Sequence, residues 1–547
     1  MKQLHFSIML SILLSIFVVQ SYAHDIEVKN ADGVSIYYKL MNGKKEVAVS
    51  FRGDRYDSYS YEYQGDVVIP EYVIYGGEKY LVTSIGERAF YDCKVLSSVV
   101  IPKSVTFIGN SAFVNCTSIT SLAIPNSVTF IGNSAFSGCK GITSLTIPNG
   151  VTYIDIGAFG GCTGITSVTI PESVTYIGSN VFYGCSSLIK MQVEVGNRIY
   201  DSRENCNAII ETATNTLIAA CQTTTSIPNT ITAIGTSAFS GTDITSLTIP
   251  NSVTSIRESA FQGCKMLTSL SIPNTVSMID IEVFAGCSAL TYISIPNSVT
   301  AIGEAAFWGC TNLTSIVIPN SVISIERWAF SGCTNLASVT LGNRVLSLGY
   351  AAFWQCASLT SVTLPNSVIS IGRFCFDGCK ALKEVICLAE KVPSYAYDSY
   401  EISSIHRNAI LKVPENSIDL YKSQKPWSDF GKIVVYSPDN EAANSVIAMI
   451  KAIGKVVYTD VSKARIDAAR KAYEALTDVQ KALVTNVETL IAAETKYLEL
   501  QEMATGINVV SADDTGNIWY DLSGRKLSQK PVAKGVYVLN GKTVFIK

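Results

Sequence analysis

Charge is scarce in this chain, and histidine is scarcer. Charged residues are 16% of the 547, against about a quarter in an average globular domain. The 42 basic and 45 acidic residues leave a formal net charge of −3. A nucleic-acid binder needs a clustered basic face, so no nucleic-acid partner is expected. Only three histidines occur, His5, His24 and His406. Histidine catalysis and histidine-ligated metal are thereby almost excluded. The sequence also lacks H-E-x-x-H, G-x-S-x-G, a P-loop and G-x-G-x-x-G. The expectation is a chain with no enzyme activity, no cofactor and no metal. Apolar residues are 48%, so a disordered chain is excluded as well.

The longest apolar run lies at the start. Ile8 to Val19 is broken only by Ser11 and Ser15, with Lys2 before it. Ser21 and Ala23 put small residues at −3 and −1 of a cleavage point. Residues 1–23 thus have the pattern of a secretory signal peptide. The run is short for a membrane span of ~20 residues. No cysteine precedes Cys93, so no lipoprotein attachment point exists there. The chain is expected to be exported and to keep no transmembrane segment after cleavage.

The rest of the chain is dominated by one repeat. Its markers are Phe90, Phe113, Phe136, Phe159, Phe182, Phe239, Phe261, Phe284, Phe307, Phe330, Phe353 and Phe376. The step is 23 residues, except for 22 before Phe261 and 57 before Phe239. A fixed period in this range, with L-x-x-L-x-L spacing, signals a leucine-rich-repeat solenoid. In residues 119–139, Ile119, Leu122 and Ile124 should point inward from a short strand. Pro125 should end that strand, since it has no N–H for a ladder. Val128 and Ile131 form a second inward pair, Gly132 permits a bend, and Ala135 with Phe136 closes the core through a short helical turn.

Fifteen cysteines would suggest a disulfide framework if their spacing did not follow the repeat. Cys93, Cys116, Cys139, Cys162, Cys185, Cys264, Cys287, Cys310, Cys333, Cys356 and Cys379 each lie three residues after a repeat phenylalanine. One stacked column points its side chains the same way, ~4.8 Å apart. A disulfide needs converging Cβ atoms ~3.8 Å apart. The column therefore reads as free, buried, small apolar residues forming a structural ladder. Only Cys206 and Cys221, brought face to face by a hairpin turning at Ala213-Thr214, offer a candidate disulfide.

The recurring I-P-N-S-V-T-x-I-G-x-x-A-F-x-G-C-x-x-L-T-S resembles the BspA-like leucine-rich-repeat surface proteins of Bacteroidetes type. The likeness runs from Val68 to Tyr436 and includes the interruption that begins at Tyr200. It implies a secreted or cell-surface bacterial protein, associated with the outer membrane, that works in adhesion and partner binding. It carries over no catalytic residue.

The expected fold is a leucine-rich-repeat solenoid, mostly β with short helical turns. It has twelve ~23-residue repeats, followed by a small helical module and a short β-rich C-terminal module. The divisions are an N-terminal β cap at 24–67, with a hairpin at Asn42-Gly43, and the solenoid at 68–386. The solenoid carries a hairpin insertion at 193–226 and a C-terminal cap at 387–437. A helical module occupies 438–503, with Thr477 to Gln480 as a capping box and Asn486 as a further N-cap. Residues 504–547 form a β-rich tail that resembles the sorting tails of Bacteroidetes secreted proteins, with only the final part of that pattern present.

Three surfaces are candidates for a ligand, either a protein or a glycan. Outward strand positions are hydroxylic: Ser121, Ser144 with Thr146, Ser167 with Thr169, Ser246 with Thr248, Ser269 with Ser271. The x of V-T-x-I is Phe107, Phe130, Tyr153 and Tyr176 in four successive repeats, then becomes Ala233, Ser255 and Met278. Such a strip is either covered by the cap or the insertion, or it is a contact surface. Trp308, Trp328, Tyr350 and Trp354 form a second cluster near the repeat phenylalanines. The readings are an adhesin, a glycan binder using the strip, or a passive spacer. N-terminal sequencing of the exported protein should begin at His24; a retained Met1 would contradict the signal peptide.

Overall fold

The computed structural model describes residues 24–41, 43–53, 62–395 and 409–505. In the tail it describes 507–509, 519–522, 524, 525, 527, 531, 532, 535–539 and 542–546. The signal segment, Asn42 and His406 lie outside these residues. The chain forms two compact units, residues 1–435 and 436–547.

In the first unit the hydrogen-bond register equals the sequence period. Phe130 pairs with Phe107, Tyr153 with Phe130 and Tyr176 with Tyr153, all in parallel strands. Each residue therefore lies on its counterpart one repeat earlier. The repeat phenylalanines stack nearly parallel, with centroids 4.8 Å apart at Phe90–Phe113 and 5.8 Å at Phe159–Phe182. All twelve are buried.

Each phenylalanine sits in a tight turn with little helical character. The residue two before it and the residue two after it have positive φ in every repeat, as at Ser111 and Asn115. That explains why Gly, Asn and Ser are common there. Gly132 serves differently from the expected bend. A Cβ at Gly132 would lie 2.8 Å from the Asn110 nitrogen of the preceding rung. Close backbone approach sets that position.

The cap joins the stack edge to edge. Strands β1 (Ile26–Lys29), β2 (Ser35–Leu40) and β3 (Glu46–Ser50) are antiparallel. After β4 (Gly65–Val68), strands β5 (Tyr72–Tyr75) and β6 (Glu78–Ile85) form a hairpin. Its two turn residues, Gly76 and Gly77, have φ +58° and +81°, the two-positive-φ pattern of a type I′ turn. Strand β3 pairs in parallel with β6, and β6 pairs with Phe107–Ile108. Below the last repeat, Glu384–Cys387, Ile410–Val413 and Lys432–Val435 add parallel strands. The stack thus runs to about 15 turns, beyond the twelve marked by phenylalanine.

The insertion divides the core. Ala208–Glu211 and Thr216–Ala220 are antiparallel, and the second strand pairs in parallel with Ala233–Ile234. Strand alternation turns Ile209, Ala219 and Cys221 toward one apolar cluster, which begins at Ile26. Cys206, Ala208, Ile210, Leu217 and Ala220 turn toward a second, which ends at Phe430. The phenylalanine column is interrupted at the same place, between Phe182 and Phe239.

In the second unit, helices Pro438–Ile453, Asp460–Glu474, Asp478–Ala482 and Val487–Thr505 surround Ile466, Ala469 and Leu490. Tyr473 and Leu476 pack against this core. Thr477 and Gln480 make both capping-box bonds. The Asn486 side chain donates instead to the Ile447 carbonyl, tying two helices together. The described strands of the tail form a four-stranded sheet.

Phe136 is fully buried between Phe113 and Phe159. Phe136→Ala should destabilise the solenoid by about 3–5 kcal/mol, read as a lowered denaturation midpoint. An unchanged midpoint would contradict the stacked core.

Candidate binding surfaces

The inward cysteine column is hydrogen-bonded as well as buried. Ten of its thiols donate to the carbonyl of the preceding repeat's phenylalanine, from Cys116 to Phe90 at 3.0 Å through Cys379 to Phe353 at 3.2 Å. Reading them as small apolar residues misses this donor role. Where Thr242 replaces the cysteine, its hydroxyl donates to the Phe239 carbonyl at 2.7 Å. Burial pushes the thiols of Cys93, Cys185 and Cys333 up to about 12. They are poor nucleophiles, because the thiolate is the reactive form. Among the described residues no cluster of His, Cys, Asp or Glu could hold a metal ion.

The candidate disulfide is corrected. Cys206 and Cys221 are both free and buried. Ala208 pairs with Ala220, and the Cys221 thiol donates to the Asn207 carbonyl at 3.3 Å. This offset by one residue sends the two side chains to opposite faces of the hairpin. They belong to the two different apolar clusters.

The aromatic strip faces outward. Phe107 is 41% exposed and Tyr176 40%, with Phe130 and Tyr153 half-buried between them. Neither the cap nor the hairpin covers it. The four rings stack on one another at 4.7, 4.9 and 4.3 Å, within 13° of parallel. Their inner faces are occupied by neighbouring rings, and their edges meet solvent. The Tyr153 and Tyr176 hydroxyls are hydrogen-bonded.

The apolar surface continues where the repeat pattern had not yet begun. Exposed Tyr72, Ile74 and Leu81 lie on the β5–β6 hairpin, and β6 also pairs with the strand of Phe107. The signal for them was the alternation of Tyr72-Val73-Ile74, with only Val73 buried.

The second cluster divides. Trp328 meets Tyr350 edge to face at 5.6 Å, and Tyr350 meets Phe374 in the same way. Phe374 was missed because it occupies the αL position of a repeat, where bulky residues are rare; Trp328 is at the same position. Trp308 is 53% exposed and Trp354 half-buried. Neither makes a ring or cation contact among the described residues. The Ser and Thr positions point outward as a row, with Ser144 over Ser121.

The BspA type leucine rich repeat region, in six copies, matches residues 81–207, 215–320 and 300–419. The chain belongs to this family. No curated protein matches it. A solved leucine-rich repeat protein of Bacteroides ovatus is 26% identical, covering 74% of this chain and 98% of its own, with TM-score 0.42. A leucine rich cell surface protein of Faecalibacterium prausnitzii is 28% identical over 58% of this chain and 95% of its own, with TM-score 0.39. The pneumococcal vaccine antigen PcpA is 19% identical over 76% of this chain and 99% of its own, with TM-score 0.47.

The raised thiols give a pH signature. The folded state holds these protons more tightly than the unfolded chain, whose thiols titrate near ~8.5. Their stabilising contribution is complete below that value and declines as pH rises toward 12. Denaturation midpoints should fall steadily above pH ~8.5. In native protein at that pH, iodoacetamide should leave the ladder cysteines unmodified and label them only after unfolding. Rapid native labelling would contradict the closed column.

Proposed function

We propose that this is a non-enzymatic, exported bacterial surface protein that binds a protein partner through the aromatic strip, as an adhesin does. The signal-peptide pattern and the family support export and a surface role. Among the described residues no helix is long and apolar enough to cross a membrane. The observation that carries the binding reading is the strip at Phe107, Phe130, Tyr153 and Tyr176, exposed on one sheet face and prolonged by Tyr72 and Leu81. Contiguous exposed aromatics mark contact surfaces, and aromatic anchors carry much of the binding energy in protein interfaces.

Ring stacking favours a protein over a sugar at this strip. A sugar packs against an aromatic face, and the faces between these four rings are already filled at 4.3–4.9 Å. What remains is a ribbon of ring edges with tyrosine hydroxyls. Such a ribbon suits a flat, mixed surface of the kind proteins present.

The mature chain should be tested against immobilised host glycoproteins, each intact and enzymatically deglycosylated. The expected result is binding that survives deglycosylation and loses about 2 kcal/mol or more in the folded Phe107→Ala, Tyr153→Ala variant. Binding that disappears with the sugars, or is unchanged in that variant, would overturn the strip. Binding to neither form would favour a passive spacer.

A further inference from the structure

A separate site lies on the turn side of the later repeats. Trp308, Ser331 and Trp354 each follow a repeat phenylalanine directly, in three successive rungs. Backbone bonds confirm the column: Gly309 N–H donates to the Ser331 carbonyl at 2.8 Å, and Gly332 N–H to the Trp354 carbonyl at 2.7 Å. Elsewhere this column is mixed: it holds Gly160, Ser240 and Ala285 but also Tyr91 and Tyr183, and tryptophan occurs in it only at 308 and 354. The two indoles are therefore two rungs apart, ~10 Å at the spacing of neighbouring strands. Trp308 is 53% exposed, and no ring or cation covers its faces among the described residues. In this it differs from the stacked strip.

Between the indoles sits an unsatisfied polar group. Ser331 is 1% exposed, and its hydroxyl has no hydrogen-bond partner. Ser240, at the same position of an earlier repeat, donates to the Gln262 carbonyl of the next rung at 3.0 Å. The orphan hydroxyl at Ser331 is thus not a general property of the column. A buried polar group without a partner is costly, so a ligand that satisfies it gains affinity.

Charged side chains of both signs surround the indoles, with exposed Glu326 beside Arg327. Three residues before the phenylalanines of the ninth and tenth repeats stand Glu304 and Arg327, paired at 2.6 Å. Two rungs on, Arg373 and Asp377 flank Phe376. Trp328 lies between the two indole rungs in an αL conformation, φ 56°. The same conformation recurs at this position in every repeat, so the turn itself imposes it. Open aromatic faces beside charged groups of both signs, rich in donors and acceptors, suit a carbohydrate.

From this arrangement we infer that Trp308, Ser331 and Trp354 form a binding site for an extended β-1,4-linked glycan lying along the stack. In such a chain successive sugars are turned over, so every second ring presents the same face. One disaccharide repeat matches the two-rung separation of the indoles. Sugars i and i+2 stack on Trp308 and Trp354. Sugar i+1 spans Ser331, with the Glu304–Arg327 pair within reach of its hydroxyls. This site shares no residue with the strip and does not rest on the protein-binding reading.

Calorimetric titration of the mature chain with cellohexaose, chitohexaose and maltohexaose tests the site. The expected result is saturable binding of at least one β-linked hexaose and none of the α-linked, helical maltohexaose. Trp308→Ala should weaken that binding roughly tenfold, a loss of about 1.4 kcal/mol. Trp308 is half-exposed, so this variant keeps the fold; Trp354→Phe and Ser331→Ala should each weaken binding less, with melting temperature checked for all three. Phe107→Ala should leave it unchanged. Failure of both β-linked hexaoses to bind at millimolar concentration, equal binding of maltohexaose, or undiminished binding by folded Trp308→Ala would each overturn the inference.

Discussion

Stacking of each residue on its counterpart one repeat earlier is the constraint on which the rest of this solenoid depends. When the register equals the repeat, every inward column must be able to pack on itself. Phenylalanine does so by parallel rings, as at Phe307 and Phe330, 5.1 Å apart. Cysteine does so by donating from the thiol, in ten of the eleven column positions, to the preceding repeat's phenylalanine carbonyl. On the outer side, threonine hydroxyls add bonds that reach back one rung, as Thr129 does to the Thr106 carbonyl at 3.2 Å. A residue that breaks a column disturbs two interfaces at once. Outward columns carry no such requirement, and it is there that the repeats differ: Phe107 and Tyr153 in the early repeats, Ser324 and Ser347 at the same position later.

The hairpin at 208–220 turns one stack into two cores. It presents Ile209 and Ala219 to one side and Ile210 and Leu217 to the other, so neither phenylalanine column ends against water. It coincides with a change of surface. Before the hairpin the V-T-x-I column is aromatic; after it the column holds small residues and Met278. The tryptophans at 308, 328 and 354 lie only on the later side. Each half thus displays its own aromatic surface, one on a sheet face and one on the turns, over the same repeated interior.

Much of the interior was legible in the sequence, because a period of 23 residues leaves few ways to place Phe136, Cys139 and Ile131. The less legible features depend on pairing across chain segments. The offset that separates Cys206 from Cys221 is a single residue of hairpin register, and spacing along the chain does not specify it. The extension of the strip to Tyr72 and Leu81 depends on how β6 joins the first rung. The thiol–carbonyl bonds require knowing which backbone group lies beneath each cysteine. Of the candidate ligand residues, the outward placement of Phe107 and Tyr176 followed from strand alternation. Their mutual stacking, which occupies the faces a sugar would use, appears only in three dimensions.

The central claim is that the early sheet face, rather than the solenoid at large, makes the contact. A photo-crosslinking phenylalanine analogue at Phe130, and separately at Met278 in the corresponding column of the later half, tests this directly on the intact exported protein. The account predicts covalent capture of a protein partner from position 130 and none from position 278. Equal capture from both positions, or capture from 278 alone, would contradict it.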